Sequence, residues 1–269
     1  MNWREAGSKS GDPVILLHGF PFDSSMWDPQ LANVPEGWRY IAPDLNGFGG
    51  SPLVGDRALG MSQYATAVIA LMDELKLDQA VICGLSMGGY VALPLAVQHA
   101  ERVRALVLVA TRANADSAEA KKARLEQAAK VRREGVRSVV DSMLPKLLSA
   151  HSRMKHPDVV LKVRRMMDAA PPETMARALE GMAARADYTS RLGDIGVSTM
   201  VVRGQEDEII PKGDMELIAR TVRGARHEMV PLTAHLPNLE APEAFNAILT
   251  KFLQALPPAF KLGDMSLSF

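Results

Sequence analysis

Val81-Ile82-Cys83-Gly84-Leu85-Ser86-Met87-Gly88-Gly89-Tyr90 is the stretch on which the reading of this chain depends. An apolar run with strand character ends at Cys83, a helix is expected after Ser86, and a Gly-x-Ser-x-Gly pattern joins the two. A serine on so tight a strand-to-helix turn holds a strained backbone, and its neighbours on either side crowd one another. Glycines at 84 and 88 remove the side chains that would collide. The hydroxyl is left exposed above the sheet. The unpaired N–H groups at the start of the helix favour negative charge developing beside it. An ordinary glycine-rich turn with a capping serine would read similarly, so the flanking pattern has to decide. Pro94 falls inside the expected helix, where it removes a hydrogen bond.

The flanking pattern agrees. Short aliphatic runs recur at Val14–Leu17, Arg39–Ala42, Ala80–Cys83, Ala105–Val109 and Thr199–Val202, with a shorter one at His227–Val230. Such runs suit strands buried on both faces of a parallel sheet. Helical spacing fills segments between and after them, as in Met61 to Leu75 and Ala241 to Leu256. Alternation of this kind predicts right-handed crossovers and a doubly wound, mostly parallel α/β sheet. The pattern breaks between about Arg112 and Asp187. There Ala118–Arg133, Val136–Leu148, Asp158–Met167 and Pro172–Ala184 read as amphipathic helices, with breaks at Pro145, Pro157 and Pro171-Pro172. The expected organisation is a core of residues 1–111 and 191–256, an all-helical insertion at 112–190, and a tail at 257–269.

Composition narrows the function classes. The chain has 269 residues, with 31 Lys plus Arg balancing 31 Asp plus Glu, and 47% hydrophobic residues. That hydrophobic content excludes a disordered chain. The charge balance argues against nucleic acid as a partner, because neutralising phosphates takes a surplus of cations. Residues 112–190 hold 16 basic and 10 acidic side chains. The simplest reading of that local surplus is solvated helix faces; a basic lid attracting anionic substrates is the sharper one. Cys83 is the single cysteine, so neither an intrachain disulfide nor a cysteine zinc site is expected. The N-terminal stretch lacks the apolar core of a signal peptide, and no apolar run is long enough to cross a bilayer. A cytoplasmic protein with no membrane partner is expected; oligomeric state is not legible.

A serine hydroxyl needs a base within hydrogen-bond reach. The histidines are 18, 99, 151, 156, 227 and 235. A serine turn of this kind draws its base from a loop after the last core strand. His227 begins a candidate strand, whereas His235 lies in the loop after it, so His235 is chosen. The imidazole needs a carboxylate that fixes its tautomer and stabilises its charge. Glu206-Asp207-Glu208 follows the preceding strand. Asp207 is preferred because its short side chain is held more rigidly; the two glutamates read as solvated loop charge. The main-chain N–H groups of Phe20, after Val14–Leu17 and Gly19, and of Met87, directly after Ser86, are the candidate oxyanion donors. His18 reads as a brace for that loop. This chemistry needs no metal and no organic cofactor.

These residues resemble the α/β-hydrolase superfamily. The resemblance rests on His18-Gly19-Phe20-Pro21, Asp44-Leu45-Asn46-Gly47-Phe48-Gly49-Gly50-Ser51, Gly84-Leu85-Ser86-Met87-Gly88, Gly204-Gln205-Glu206-Asp207 with Pro211, and His235 with Glu240-Ala241-Pro242. It implies triad roles for Ser86, Asp207 and His235. It also implies that the helical insertion is a cap over the pocket, placed after the sixth strand. Two positions depart from the family's habit: Ala234 stands where glycine is frequent, and Asn46 where arginine is frequent. A serine at 86 argues against haloalkane dehalogenases and epoxide hydrolases, which place an aspartate there. Within the superfamily the chain is most similar to small serine carboxylesterases and to lactonases of the 3-oxoadipate enol-lactonase type. Thr111–Glu119 is similar to the lactonase branch. N-acyl homoserine lactone hydrolases and haloperoxidase-like perhydrolases share the framework.

The expected function is therefore hydrolysis of a small-molecule ester or lactone through an acyl-enzyme. A perhydrolase or hydroxynitrile lyase on the same triad, and a non-catalytic small-ligand binder, are the alternatives. Met143, Met154, Met166, Met167, Met175 and Met182 in the insertion suit either an adaptable pocket or helix packing, and none is assigned to the site.

Overall fold

The aliphatic runs become the strands of one sheet in a computed structural model of the chain, which describes residues 1–55 and 58–257. The first part of the core comprises β1 (Trp3–Gly7), β2 (Asp12–Leu17), α1 (Asp28–Leu31), β3 (Trp38–Pro43), α2 (Met61–Glu74), β4 (Ala80–Leu85), α3 (Met87–Gln98) and β5 (Val103–Val109). Five helices follow: α4 (Ala118–Glu134), α5 (Arg137–Leu147), α6 (Ala150–Lys155), α7 (Pro157–Ala169) and α8 (Pro172–Ala183). The core resumes with β6 (Ser198–Gly204), α9 (Lys212–Thr221), β7 (Arg226–Val230), α10 (Pro237–Glu240) and α11 (Pro242–Gln254). The tail from residue 258 onward lies outside the described residues.

The strand order is β1-β3-β2-β4-β5-β6-β7. All pairs are parallel except β1 with β3, which is antiparallel. Strand residues alternate between two cores, as a period of two requires. Ile15, Leu17, Ile82, Leu106 and Leu108 face one layer, with α2, α3 and α9. Val14, Leu16, Val81, Cys83, Val107 and Val109 face the other, with Trp27, Phe245 and Leu249. Both faces are covered, so the strands carry continuous apolar runs rather than alternating ones.

The helical segment leaves the sheet after β5, the fifth strand in chain order, and not after the sixth. The difference lies at the amino-terminal edge, where a single antiparallel strand, β1, precedes β2 and closes that side of the sheet. Pro145 is no helix break: it sits in the last turn of α5. Its missing N–H interrupts an interior hydrogen bond only, and the helix ends two residues later. Pro94 lies within α3, which continues through it; nothing in the structure explains its presence.

The two connections to the helical segment are tied together. Asp116, ahead of α4, pairs with Arg124 at 2.6 Å and with Arg185, beyond α8, at 2.8 Å. Arg185 also donates to the carbonyls of Asn114 and Met182, and its guanidinium lies 4.4 Å from the centre of the Tyr90 ring. Burial alone would push the Asp116 carboxyl up, but Arg124 and Arg185 outweigh it and hold it below the usual carboxylate range. Asp116→Asn leaves a buried guanidinium without its counter-charge, so it is expected to destabilise the fold by about 3 kcal/mol in thermal unfolding. Because the folded-state value is depressed, this contribution is present above the ordinary carboxylate value and is lost as pH falls through the folded one. Unfolding of Asp116→Asn should therefore depend less on pH in the acid range than that of the parent.

Candidate active site

Ser86 stands at the tip of β4 with φ 55° and ψ −112°, a left-handed conformation that costs a non-glycine residue energy. The turn is built by close approach. A Cβ on Gly84 would collide with the Gly88 carbonyl, and one on Gly88 with the Leu17 carbonyl at the end of β2. The Ser86 main chain is held from both sides. Its N–H donates to the Val109 carbonyl at 2.9 Å, and its carbonyl accepts from the Thr111 hydroxyl at 2.8 Å. In the sequence Thr111 stood out only as the start of the Thr111–Glu119 stretch, and nothing there pointed to its contact with the serine turn. Within an otherwise buried stretch, Ser86 alone is part-exposed. Its hydroxyl takes part in no hydrogen bond among the described residues.

Since β4 to β7 are parallel, the loops that follow them share one edge of the sheet. Asp207 lies beyond β6 and His235 beyond β7, and His235 Nδ1 is 3.0 Å from Asp207 Oδ2. The other carboxylate oxygen, Oδ1, accepts the N–H groups of Ile209 at 2.9 Å and Ile210 at 3.1 Å. Glu206 and Glu208 point to solvent, while Asp207 is buried. Burial would raise the Asp207 carboxyl, but the neighbouring His235 and the two N–H donors hold it below the usual range. The acid and base loops are knit directly, because Glu206 N–H donates to the Thr233 carbonyl at 2.8 Å. Gly204 permits this approach, since a Cβ there would overlap the Ala234 carbonyl.

The loop after β2 brings Phe20 to the same edge. His18 Nε2 accepts the Leu45 N–H at 3.0 Å, which leaves the proton on Nδ1 to donate to the Gly19 carbonyl at 2.9 Å. Burial lowers the His18 pKa, in keeping with a neutral ring. In a trans peptide the C=O and the following N–H point opposite ways. Fixing the Gly19 carbonyl therefore fixes the Phe20 N–H. Neither the Phe20 nor the Met87 N–H has a hydrogen-bond acceptor among the described residues. The glycine-rich stretch after β3 is structural. Asp44 accepts from the Ser24 and Gly50 N–H groups and the Asn2 amide, each within 2.8 Å. His227, by contrast, is exposed on β7, away from these contacts. No group of three or more His, Cys, Asp or Glu among the described residues is placed to hold a metal ion.

Residues 12–242 match the model of the alpha/beta hydrolase fold family. The chain belongs to that family. Among solved structures, an esterase from Thermogutta terrifontis superposes with a TM-score of 0.91 at 38% identity, covering 95% of this chain and 93% of that one. The enol-lactonase from Burkholderia xenovorans LB400 gives 0.87 at 29% identity, over 94% and 96%. Among curated relatives, a pimeloyl-[acyl-carrier protein] methyl ester esterase of Neisseria meningitidis is 31% identical over 90% of this chain and 94% of its own length. The resemblance of this alpha/beta hydrolase to small esterases and enol-lactonases, read from its motifs, is thus borne out, as is its reading as a hydrolytic enzyme. No helix among its described residues is long and apolar enough to cross a membrane.

Proposed function

We propose that the chain hydrolyses carboxylic esters, cyclic ones included, through an acyl-enzyme on Ser86. The observation that carries this reading is the buried His235–Asp207 pair, at 3.0 Å, on the sheet edge that also presents Ser86. Relatives named for esters and for an enol-lactone support the substrate class.

Each residue has one task. Ser86 Oγ attacks the ester carbonyl as His235 Nε2 takes its proton. Asp207 keeps the other proton on Nδ1 and balances the imidazolium. The Phe20 and Met87 N–H groups receive the oxyanion, each contributing about 3 kcal/mol in the transition state. His235 then protonates the departing alkoxide. A water molecule gives its proton to His235, attacks the acyl carbon, and frees the acid and Ser86. With a lactone the steps are unchanged, but the leaving oxygen stays tethered to the acyl chain. The helical segment at 112–190 acts as the cap, enclosing whichever part of the substrate extends from the carbonyl.

A panel of linear esters of increasing acyl length, alongside enol-lactones and N-acyl homoserine lactones, tests the reading by kcat/KM. Turnover of at least one class is expected, and the preferred acyl length measures the space beneath the cap. A purified, folded protein inert across the whole panel would overturn the assignment and favour a ligand-binding role.

A further inference from the structure

The loop that carries His235 is fastened to the helical segment by a carboxylate for which ester hydrolysis has no chemical use. Glu240, at the end of α10, is 7% exposed. Its Oε1 accepts the N–H groups of Ala234 at 2.8 Å and Leu236 at 3.3 Å, the two residues flanking His235. Its Oε2 accepts the N–H of Ser149 at 2.7 Å, in the turn between α5 and α6. Two more bonds join the same two segments. His235 N–H donates to the Leu147 carbonyl at 3.2 Å, and the Ser149 hydroxyl donates to the Leu232 carbonyl at 2.9 Å. No lysine or arginine pairs with Glu240 among the described residues.

The chemistry of the group matters here. Three donors converge on two oxygens of one side chain. An ionised carboxylate accepts all of them, whereas an amide offers a single acceptor oxygen and turns two N–H groups of its own toward the donors. The main-chain N–H groups of 234, 235 and 236 are all engaged in this way, two by Glu240 and one by Leu147. The orientation of the loop, and with it the direction of the His235 ring, is set against the 147–149 turn.

We infer that Glu240 is a positioning residue that couples the seating of the 147–149 turn to the alignment of His235. This rests on His235 being the base, as proposed above. The cap and the base are then mechanically one unit at this point: displacement of the turn carries the imidazole out of line.

Two variants test it. Glu240→Gln keeps the size of the side chain and removes the charge. Ser149→Pro leaves Glu240 intact and removes the cap-side donors, the main-chain N–H to Glu240 and the hydroxyl to Leu232, together with the hydroxyl that caps α6 at the Ser152 N–H. Its backbone suits proline, with φ −60° and ψ 158° at Ser149 and an extended Leu148 before it. Each is compared with the parent for kcat and KM on a short acetate ester. Each is also examined for the far-downfield proton resonance of the His235–Asp207 hydrogen bond, which needs no turnover to be read. Glu240→Gln is expected to lower kcat about 100-fold, the cost of a small misplacement of a reacting group. KM should change less than about threefold, since substrate contacts are untouched. The resonance should broaden through solvent exchange in both variants, with a smaller kcat loss, about tenfold, in Ser149→Pro. A folded variant whose resonance stays as sharp as the parent's overturns the inference, whatever its melting temperature. If Glu240→Gln does not fold, Ser149→Pro decides. If the parent turns over no ester, the proposed function fails, while the resonance still decides the coupling.

Discussion

Ser86→Ala is expected to lower kcat on any ester the protein turns over by about five orders of magnitude. In the proposed mechanism Ser86 is the sole nucleophile. His235 and Asp207 remain paired, but they have no hydroxyl to activate. The residual rate reflects only water attacking a carbonyl polarised by the Phe20 and Met87 N–H groups. The fold should persist, because the hydroxyl makes no hydrogen bond among the described residues and the turn is held by main-chain contacts to Val109 and Thr111. Thermal unfolding should match the parent within about 3 °C. Steady-state kinetics on the best substrate of the panel, with unfolding monitored in parallel, gives both numbers. A variant that keeps more than a hundredth of the parent kcat would remove Ser86 from the mechanism.

Asp207→Asn should cost about four orders of magnitude in kcat, by a different route. Asp207 Oδ1 accepts two main-chain N–H groups, from Ile209 and Ile210. An asparagine places its carbonyl oxygen there, where the donors are. Its NH2 group is then left facing His235 Nδ1. That nitrogen becomes an acceptor, the ring proton moves to Nε2, and the side of the imidazole that should take the serine proton is already occupied. Pocket and oxyanion donors are unaffected, so KM should stay within about threefold of the parent. The same drop in Asp207→Ala would show that the loss is of the carboxylate and not an artefact of the amide. Glu206→Gln and Glu208→Gln, on exposed side chains, serve as controls and should leave kcat nearly unchanged.

The core was legible because burial on both faces writes itself into the sequence. Each strand from β2 to β7 coincides with a run read in advance, and Gly84, Ser86 and Gly88 announced the turn through a steric requirement that few residues can meet. β1 was missed for the converse reason. It is an edge strand, half solvated, and Trp3–Gly7 has no apolar run to reveal it. Helix α6 is only six residues long, too short for periodicity to register. At the site, the candidate side chains were chosen by type and position, and the structure brings two of them, Asp207 and His235, within 3.0 Å. Asp207 was picked from three adjacent acids by rigidity, and its burial supports that choice. The residues that hold the others were not found. Thr111, through its hydroxyl, and Ser149, through its N–H and hydroxyl, act by contacts set by tertiary approach, and Glu240 was noticed only as part of a motif. A hydrogen bond between segments some ninety residues apart leaves no local trace, as the Ser149–Glu240 bond illustrates.

The helical segment departs from β5 and re-enters at β6, which are hydrogen-bonded neighbours. Its two ends are therefore side by side whatever its length, and the sheet places no limit on how many residues intervene. On the proposed function, specificity is open to re-engineering by transplanting that segment whole from one hydrolase into another while Ser86, Asp207 and His235 stay where they are. The Leu147–Ser149 turn is the exception. If Glu240 positions His235 as inferred, a graft that omits the turn leaves that side chain out of alignment, so a chimaera built on this core should retain its own Leu147, Leu148 and Ser149.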